Sequence, residues 1–133
     1  MNEQVEVRTR VSLPPEAAFA LFTDQVDAWW KRGTRYRRLA DSTVRFTDSL
    51  LIEEGEHASR VIARVVGWDS PHGLALDMDG DPVAIEFAAV DGGGTEVVVR
   101  QAKGRGLTAF QSAAGLFWAD LLSALGVRSR RPR

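Results

Sequence analysis

Residues 107–126 read LTAFQSAAGLFWADLLSALG, and the reading of this stretch decides the fold. At 100° per residue, Leu107, Phe110, Ala114, Phe117, Trp118, Leu121, Leu122 and Leu125 fall within one arc of about 140°. Thr108 with Gln111 three residues on has the form of a capping box. Gly126 stands where a helix-ending glycine belongs, with Pro132 beyond it. The spacing predicts one amphipathic helix over 108–125. Such an apolar stripe is unstable alone in water and needs a sheet to cover. A helix laid across a curved sheet either fills the concavity or leaves a pocket beneath it. That choice decides whether the chain is a binder.

Working outward, the sheet is legible. Val5, Val7, Thr9, Val11 and Leu13 alternate with Glu6, Arg8, Arg10 and Ser12, which predicts a half-buried strand. Pro14 and Pro15 end it and fit the first turn of a helix, where Glu16 suits the dipole. Glu16 to Phe22 reads as a short helix with Ala18, Leu21 and Phe22 inward. Asp24 is placed to cap a second, ending in Trp29-Trp30. Residues 31–42 are polar and basic and read as a loop. Strands are expected at 43–47, 50–54, 60–68, 74–78, 83–89 and 95–102. Turns fall at Asp79-Gly80-Asp81 and Gly92-Gly93-Gly94. Strands in a run beside segregated helices mean α+β.

Composition narrows the function classes. The 133 residues are 44% hydrophobic and 26% charged, with a net charge of −1. That is an ordinary globular domain with no global bias toward nucleic acid or membrane. No cysteine is present, which removes disulfides, thiol catalysis and cysteine-ligated zinc and fits a cytoplasmic setting. The N-terminus MNEQVEVRTR is charged and alternating, unlike a secretory signal. One domain is expected over 1–127, followed by a basic, disordered tail at 128–133.

Several segments together resemble a known family. They are Leu13-Pro14-Pro15-Glu16 followed by Phe19 through Asp24, the Trp29-Trp30 pair, Gly67-Trp68-Asp69-Ser70-Pro71 running into Leu74-Ala75-Leu76, and Gly94-Thr95-Glu96-Val97. The closing helix with Trp118 and Leu121-Leu122 completes the set. In order and spacing the chain resembles the START-like helix-grip (SRPBCC) superfamily. Within it, the chain is similar to small bacterial proteins akin to the C-terminal domain of the Hsp90 ATPase activator. The resemblance implies a curved antiparallel sheet gripping the C-terminal helix, with a cavity between them. It implies no single activity, since such proteins bind lipids, hormones or polyketides, or assist a chaperone. One departure is Thr47-Asp48-Ser49-Leu50, where the family usually has a double-glycine turn.

Residues capable of chemistry are few. Trp29 and Trp30 read as packing before ligand wall, one anchoring its helix and the other partly exposed. His57 and His72 lie in polar turns without a partner at metal-ligand spacing. Asp77, Asp79 and Asp81 suggest a calcium loop, but Pro82 and Ala88 occupy its glycine and glutamate positions, and a hairpin reads better. Lys31, Arg32, Arg35, Arg37 and Arg38 read as a solvated basic loop. Arg128, Arg130, Arg131 and Arg133 read as a frayed tail. Lys103-Gly104-Arg105-Gly106 reads as a connector. In the strand at 60–68 the odd phase (Val61, Ala63, Val65, Gly67) is more apolar than the even phase (Arg60, Ile62, Arg64, Val66, Trp68). Arg64 is therefore expected on the solvent face, with a bulge at Gly67 able to turn Trp68 inward.

These readings converge on a helix-grip protein that binds a small, largely apolar molecule, without cofactor or metal. The expected walls are Trp30, Tyr36, Phe46, Trp68, Leu76, Met78, Ile85, Phe87, Phe110 and Phe117. Nucleic acid and membrane are not expected partners; a homodimer or a chaperone partner is open. One alternative is a chaperone-associated interaction module. Another is a cyclase- or dehydratase-like enzyme, which would need Asp48, Glu53 or Glu86 as a perturbed acid inside the cavity.

Overall fold

The computed structural model describes residues 4–30, 37–78, 80–102 and 108–129, with the backbone alone at 4, 102 and 108–117. The elements are β1 (Gln4–Val11), α1 (Pro15–Thr23), α2 (Val26–Trp29), β2 (Thr43–Phe46), β3 (Leu50–Glu54), β4 (Ser59–Asp69), β5 (Gly73–Met78), β6 (Asp81–Ala89), β7 (Thr95–Ala102) and α3 (Thr108–Ser129). The strands form one antiparallel sheet in the order β1-β7-β6-β5-β4-β3-β2. The chain lays down β2 to β7 as a meander, and β1 closes onto β7 at one edge. Helix α3 packs along β1 and meets α1 and α2. This is the expected α+β helix-grip arrangement, a curved sheet around a C-terminal helix.

Local chemistry explains the element boundaries. Pro15 opens α1, where a missing N–H costs nothing, and the Pro14 carbonyl accepts from Ala18 N at 2.8 Å. Asp24 does not cap α2, as expected from sequence. It ends α1, its N–H bonding to Ala20 O at 2.8 Å, and Gln25 stands at the α2 N-cap without a side-chain bond. The turn that lacks a double glycine is built by a side chain instead. Thr47 Oγ1 accepts Leu50 N at 2.9 Å and Ser49 N at 3.3 Å, so a hydroxyl satisfies the amides of the turn. At the start of β7, a Cβ on Gly94 would lie 2.9 Å from Val11 O, and only glycine fits that approach. The neighbouring Thr95 hydroxyl donates to Leu13 O at 2.7 Å and ties the first strand's exit to the last strand's entrance.

Gly126 does not end α3. The helix continues to Ser129, so Arg128 and Ser129, expected in the tail, are helical. The glycine is instead where α3 crosses β1. A Cβ there would meet Thr9 Oγ1 at 3.7 Å and Arg10 O at 3.8 Å. Ser129 Oγ donates to Gly126 O at 2.7 Å and accepts from Ser12 N at 3.4 Å, which closes the helix onto the end of β1.

Strand β4 departs most from its sequence reading. Neither alternating phase faces inward along its whole length. The register shifts between Leu51 and Ile52 on β3, leaving Ile62 as an extra residue on β4. It shifts again between Val65 and Gly67, leaving Val66 extra. Arg60, Ala63, Val65 and Trp68 therefore pair on the concave side with Glu53, Leu51, Leu76 and Leu74 respectively. Val61, Arg64 and Gly67 face the convex side. Two bulges invert the alternation twice, and simple period-2 reasoning fails at each.

Candidate functional site

The concave face and the helices over it enclose one hydrophobic core. Leu74, Leu76 and Met78 on β5, Val83, Ile85 and Phe87 on β6, and Val97 and Val99 on β7 are all buried in it. Phe19 and Phe22 of α1, Trp29 and Trp30 around α2, and Trp118, Leu121, Leu122 and Leu125 of α3 cover them. The spacing alone left Phe19 off the inner side of α1. Both members of the Trp pair are buried, so the expectation of one partly exposed Trp is corrected. Trp29 Nε1 donates to Leu21 O at 3.0 Å, which satisfies its polar end inside the core.

The rings form an unbroken series across this face. Phe46 and Trp68 lie 5.8 Å apart, Trp68 and Phe19 5.3 Å, and Phe19 and Phe87 5.2 Å. Phe87 continues to Phe22 at 5.5 Å, Phe22 to Trp29 at 4.8 Å, Trp29 to Trp30 at 5.7 Å, and Trp30 to Trp118 at 6.1 Å. Most pairs meet edge to face, as ring quadrupoles favour. The series runs from full burial to solvent, since Trp30 is 2% exposed and Trp68 48%. Of the ten expected wall residues, Trp30, Leu76, Met78, Ile85 and Phe87 are buried on this side. Phe46 is half-buried and Trp68 half-exposed at one end. Tyr36 and the side chains of Phe110 and Phe117 lie outside the described residues. So do Lys31, Arg32, Arg35, Asp79, the 103–106 connector and residues 130–133.

Polar groups on the concave side were not legible as such. Arg37, expected in a solvated loop, is buried. It donates to Asp27 O at 3.2 Å, Trp30 O at 2.6 Å, Asp27 Oδ1 at 2.6 Å and Ser42 O at 2.7 Å. Asp27 Oδ1 also accepts Val44 N at 2.9 Å, so one ion pair fastens α2 to the edge strand β2. Glu53 is 0% exposed. Its Oε2 accepts Leu39 N at 2.7 Å, and its Oε1 accepts Arg38 N at 3.2 Å and Arg60 Nη1 at 3.3 Å. Burial alone would raise its pKa. The Ser42 hydroxyl, the two amides and the Arg60 charge outweigh burial and hold it below the usual carboxylate range. Glu53 thus serves as a hydrogen-bond acceptor that ties the 38–39 segment to β3 and β4. On β7, the buried Gln101 Oε1 accepts Trp118 Nε1 at 2.7 Å and pins the closing helix to the sheet.

The other acid-base candidates stand outside. Asp48 is exposed, and Glu86 is on the convex face with Arg100 Nη1 at 2.6 Å. Arg64 is on that face too, as expected, paired with Asp77 at 2.8 Å. Asp77 also accepts Gly80 N at 2.7 Å, and both contacts lower its pKa, Arg64 most. The aspartate therefore serves the hairpin turn. His57 and His72 are exposed. A shallow groove of 480 Å³ crosses β4, β5 and β6, with Gly67, Ala75 and Ala84 on its convex floor. No group of His, Asp or Glu among the described residues is arranged to hold a metal ion.

No family model and no curated protein matches the chain. Solved structures do match. An AHSA1-like protein from Aeromonas hydrophila is 20% identical, with a TM-score of 0.67 over 96% of this chain and 91% of that one. The Aha1 dimer from Colwellia psychrerythraea is 13% identical, with a TM-score of 0.64 over 93% of each chain. CalU16 from Micromonospora echinospora is 15% identical, with a TM-score of 0.66 over 97% of this chain and 77% of that one. The chain has the helix-grip fold and is similar in structure to Aha1-like proteins. No helix among the described residues is long and apolar enough to cross a membrane.

Proposed function

We propose that the protein binds a small, largely apolar molecule between the concave face of the sheet and α3. The observation that carries this reading is the ring series, which joins a fully buried Trp30 to a half-exposed Trp68. Ligand sites are usually apolar walls with a few polar anchors, opening at one end to solvent. A cytoplasmic binder without cofactor, formed by one domain with a short basic tail, is the simplest protein of this kind. The test is a panel of fatty acids, flavonoid-like aromatics and polyketide mimics, followed by melting temperature and tryptophan emission. Binding to the folded form alone adds about 2.7 kcal/mol of stability at one hundred times Kd. Trp30→Ala and Phe87→Ala are expected to weaken any compound found. A panel that leaves the melt unmoved, with native mass spectrometry showing no retained mass, ends this reading.

A second reading, a self-associating or chaperone-associated module, is favoured by three exposed apolar residues on β4: Val61, Val66 and Trp68. Exposed apolar surface commonly marks an interface, and a solved relative of the same fold is a dimer. Sedimentation velocity of the wild type and Val66→Glu separates this reading from the first.

A further inference from the structure

The bulge at Ile62 has a chemical result at the polar end of the concave face. It places Arg60 on the same side as Ala63, Val65 and the core, opposite the buried Glu53. The Arg60 side chain is only 36% exposed, yet it makes one long contact, Nη1 to Glu53 Oε1 at 3.3 Å. Its Nε and Nη2 have no partner among the described residues. Glu53 does not depend on it, because two backbone amides already hold that carboxylate. A guanidinium on the core side of the sheet whose Nε and Nη2 are open to solvent and unused by the protein is poised for a planar oxyanion, which such a fork takes side-on with two parallel bonds. Two other arginines are placed differently. Arg37 is enclosed, with Nη1 and Nη2 committed to four acceptors and its Nε shut away from solvent, and Arg64 points to the convex side.

We propose that Arg60 is the polar anchor of the ligand site and selects apolar molecules that carry a carboxylate. This rests on the ligand-binding reading above. The apolar body of the molecule lies along the ring series, and its carboxylate meets Arg60 Nε and Nη2. The experiment is isothermal titration of the whole chain with two matched pairs, dodecanoate against 1-dodecanol and 1-pyrenebutyrate against its methyl ester. In the wild type the carboxylate of at least one pair is expected to bind about tenfold tighter or more, the scale of one charge-assisted hydrogen bond. Arg60→Gln should bring the carboxylate down to the affinity of its neutral partner. Arg60→Lys, which keeps the charge without the fork, should retain part of the preference. Arg64→Gln, on the convex face, should change neither compound. If Arg60→Gln does not fold cooperatively, Arg60→Met and Arg60→Lys supply the same contrast. Equal affinities in the wild type, or a preference that survives loss of the Arg60 charge, overturn the anchor and leave apolar binding standing. Failure of all four compounds to bind overturns both.

Discussion

The two sides of the sheet use the same kinds of charged residue to different ends. On the convex face, Glu6, Arg8, Glu86, Glu96 and Arg100 interlock across β1, β7 and β6. Glu6 and Arg100 meet at 2.8 Å, and Arg100 reaches Glu86 at 2.6 Å. These contacts lower the pKa of Glu6 and raise those of Arg8 and Arg100. Water competes for every one of them. On the concave side, Arg37 and Glu53 are shut away from water, and each is fastened to backbone as well as to charge. Exposed pairs can break and be rehydrated, so they contribute little. A buried charge that loses its partner is stranded, so its network has to remain whole. The lesson is that length does not rank these ion pairs: Arg37–Asp27 and Arg100–Glu86 are both 2.6 Å, and only in the first is the guanidinium shut away from water.

Stability measurements can break that comparison. The largest effect is expected for Asp27→Ala, which leaves the buried Arg37 guanidinium with backbone carbonyls alone and frees β2 from α2. Because Asp27 is itself half-exposed, a loss of about 2–3 kcal/mol in urea unfolding is expected, and a loss no larger than that of a convex pair would abolish the distinction. Glu53→Gln comes next, at about 1–3 kcal/mol, because one amide cannot satisfy the two backbone N–H groups, Ser42 and Arg60 together. Its pH dependence has a definite sign. The folded pKa lies below the ordinary 4.5, so the carboxylate's contribution is complete above that value and is lost as pH falls through the lowered one. The stability gap between wild type and Glu53→Gln should therefore be full at pH 7 and shrink on acidification below pH 4.5. A gap independent of pH would mean that shape, and not charge, is what Glu53 supplies.

Smaller effects sharpen the contrast. Gly126→Ala, where α3 lies over the concave side of β1, is expected to stabilise by up to about 1 kcal/mol. The added methyl meets only ordinary contacts, and alanine is the better helix former. A loss of stability there would restore the helix-ending role that the sequence suggested. The smallest effect is expected for Arg100→Ala on the convex face. Its urea midpoint should shift least of the four, and the shift should fade with added salt.

Much of the fold was open to reading because it depends on period. The Val5–Val11 alternation, the doubled proline before α1, the strand at Thr95–Ala102 and the one-sided stripe of α3 each follow from side-chain direction along a regular element. What escaped was set by pairing between elements. The bulges in β4 depend on the registers of β3 and β5, so Arg60–Trp68 alone offered an inward Trp68 only through a bulge at Gly67 and did not place Arg60 inside. Arg37 looked like one more residue of a basic run until its acceptors, Asp27, Trp30 and Ser42, converged on it from separate segments. Gly126 had two local uses, and only the nearness of β1 selected one.

The amino-acid sequence by itself determined the order of elements, the α+β class and the apolar face of the closing helix, because these rest on interactions between near neighbours along the chain. Tertiary structure alone decided which charges are buried, where alternation reverses and which arginine faces the core. Those outcomes depend on partners brought together from distant positions, and burial changes the energy of a charge far more than its local sequence does.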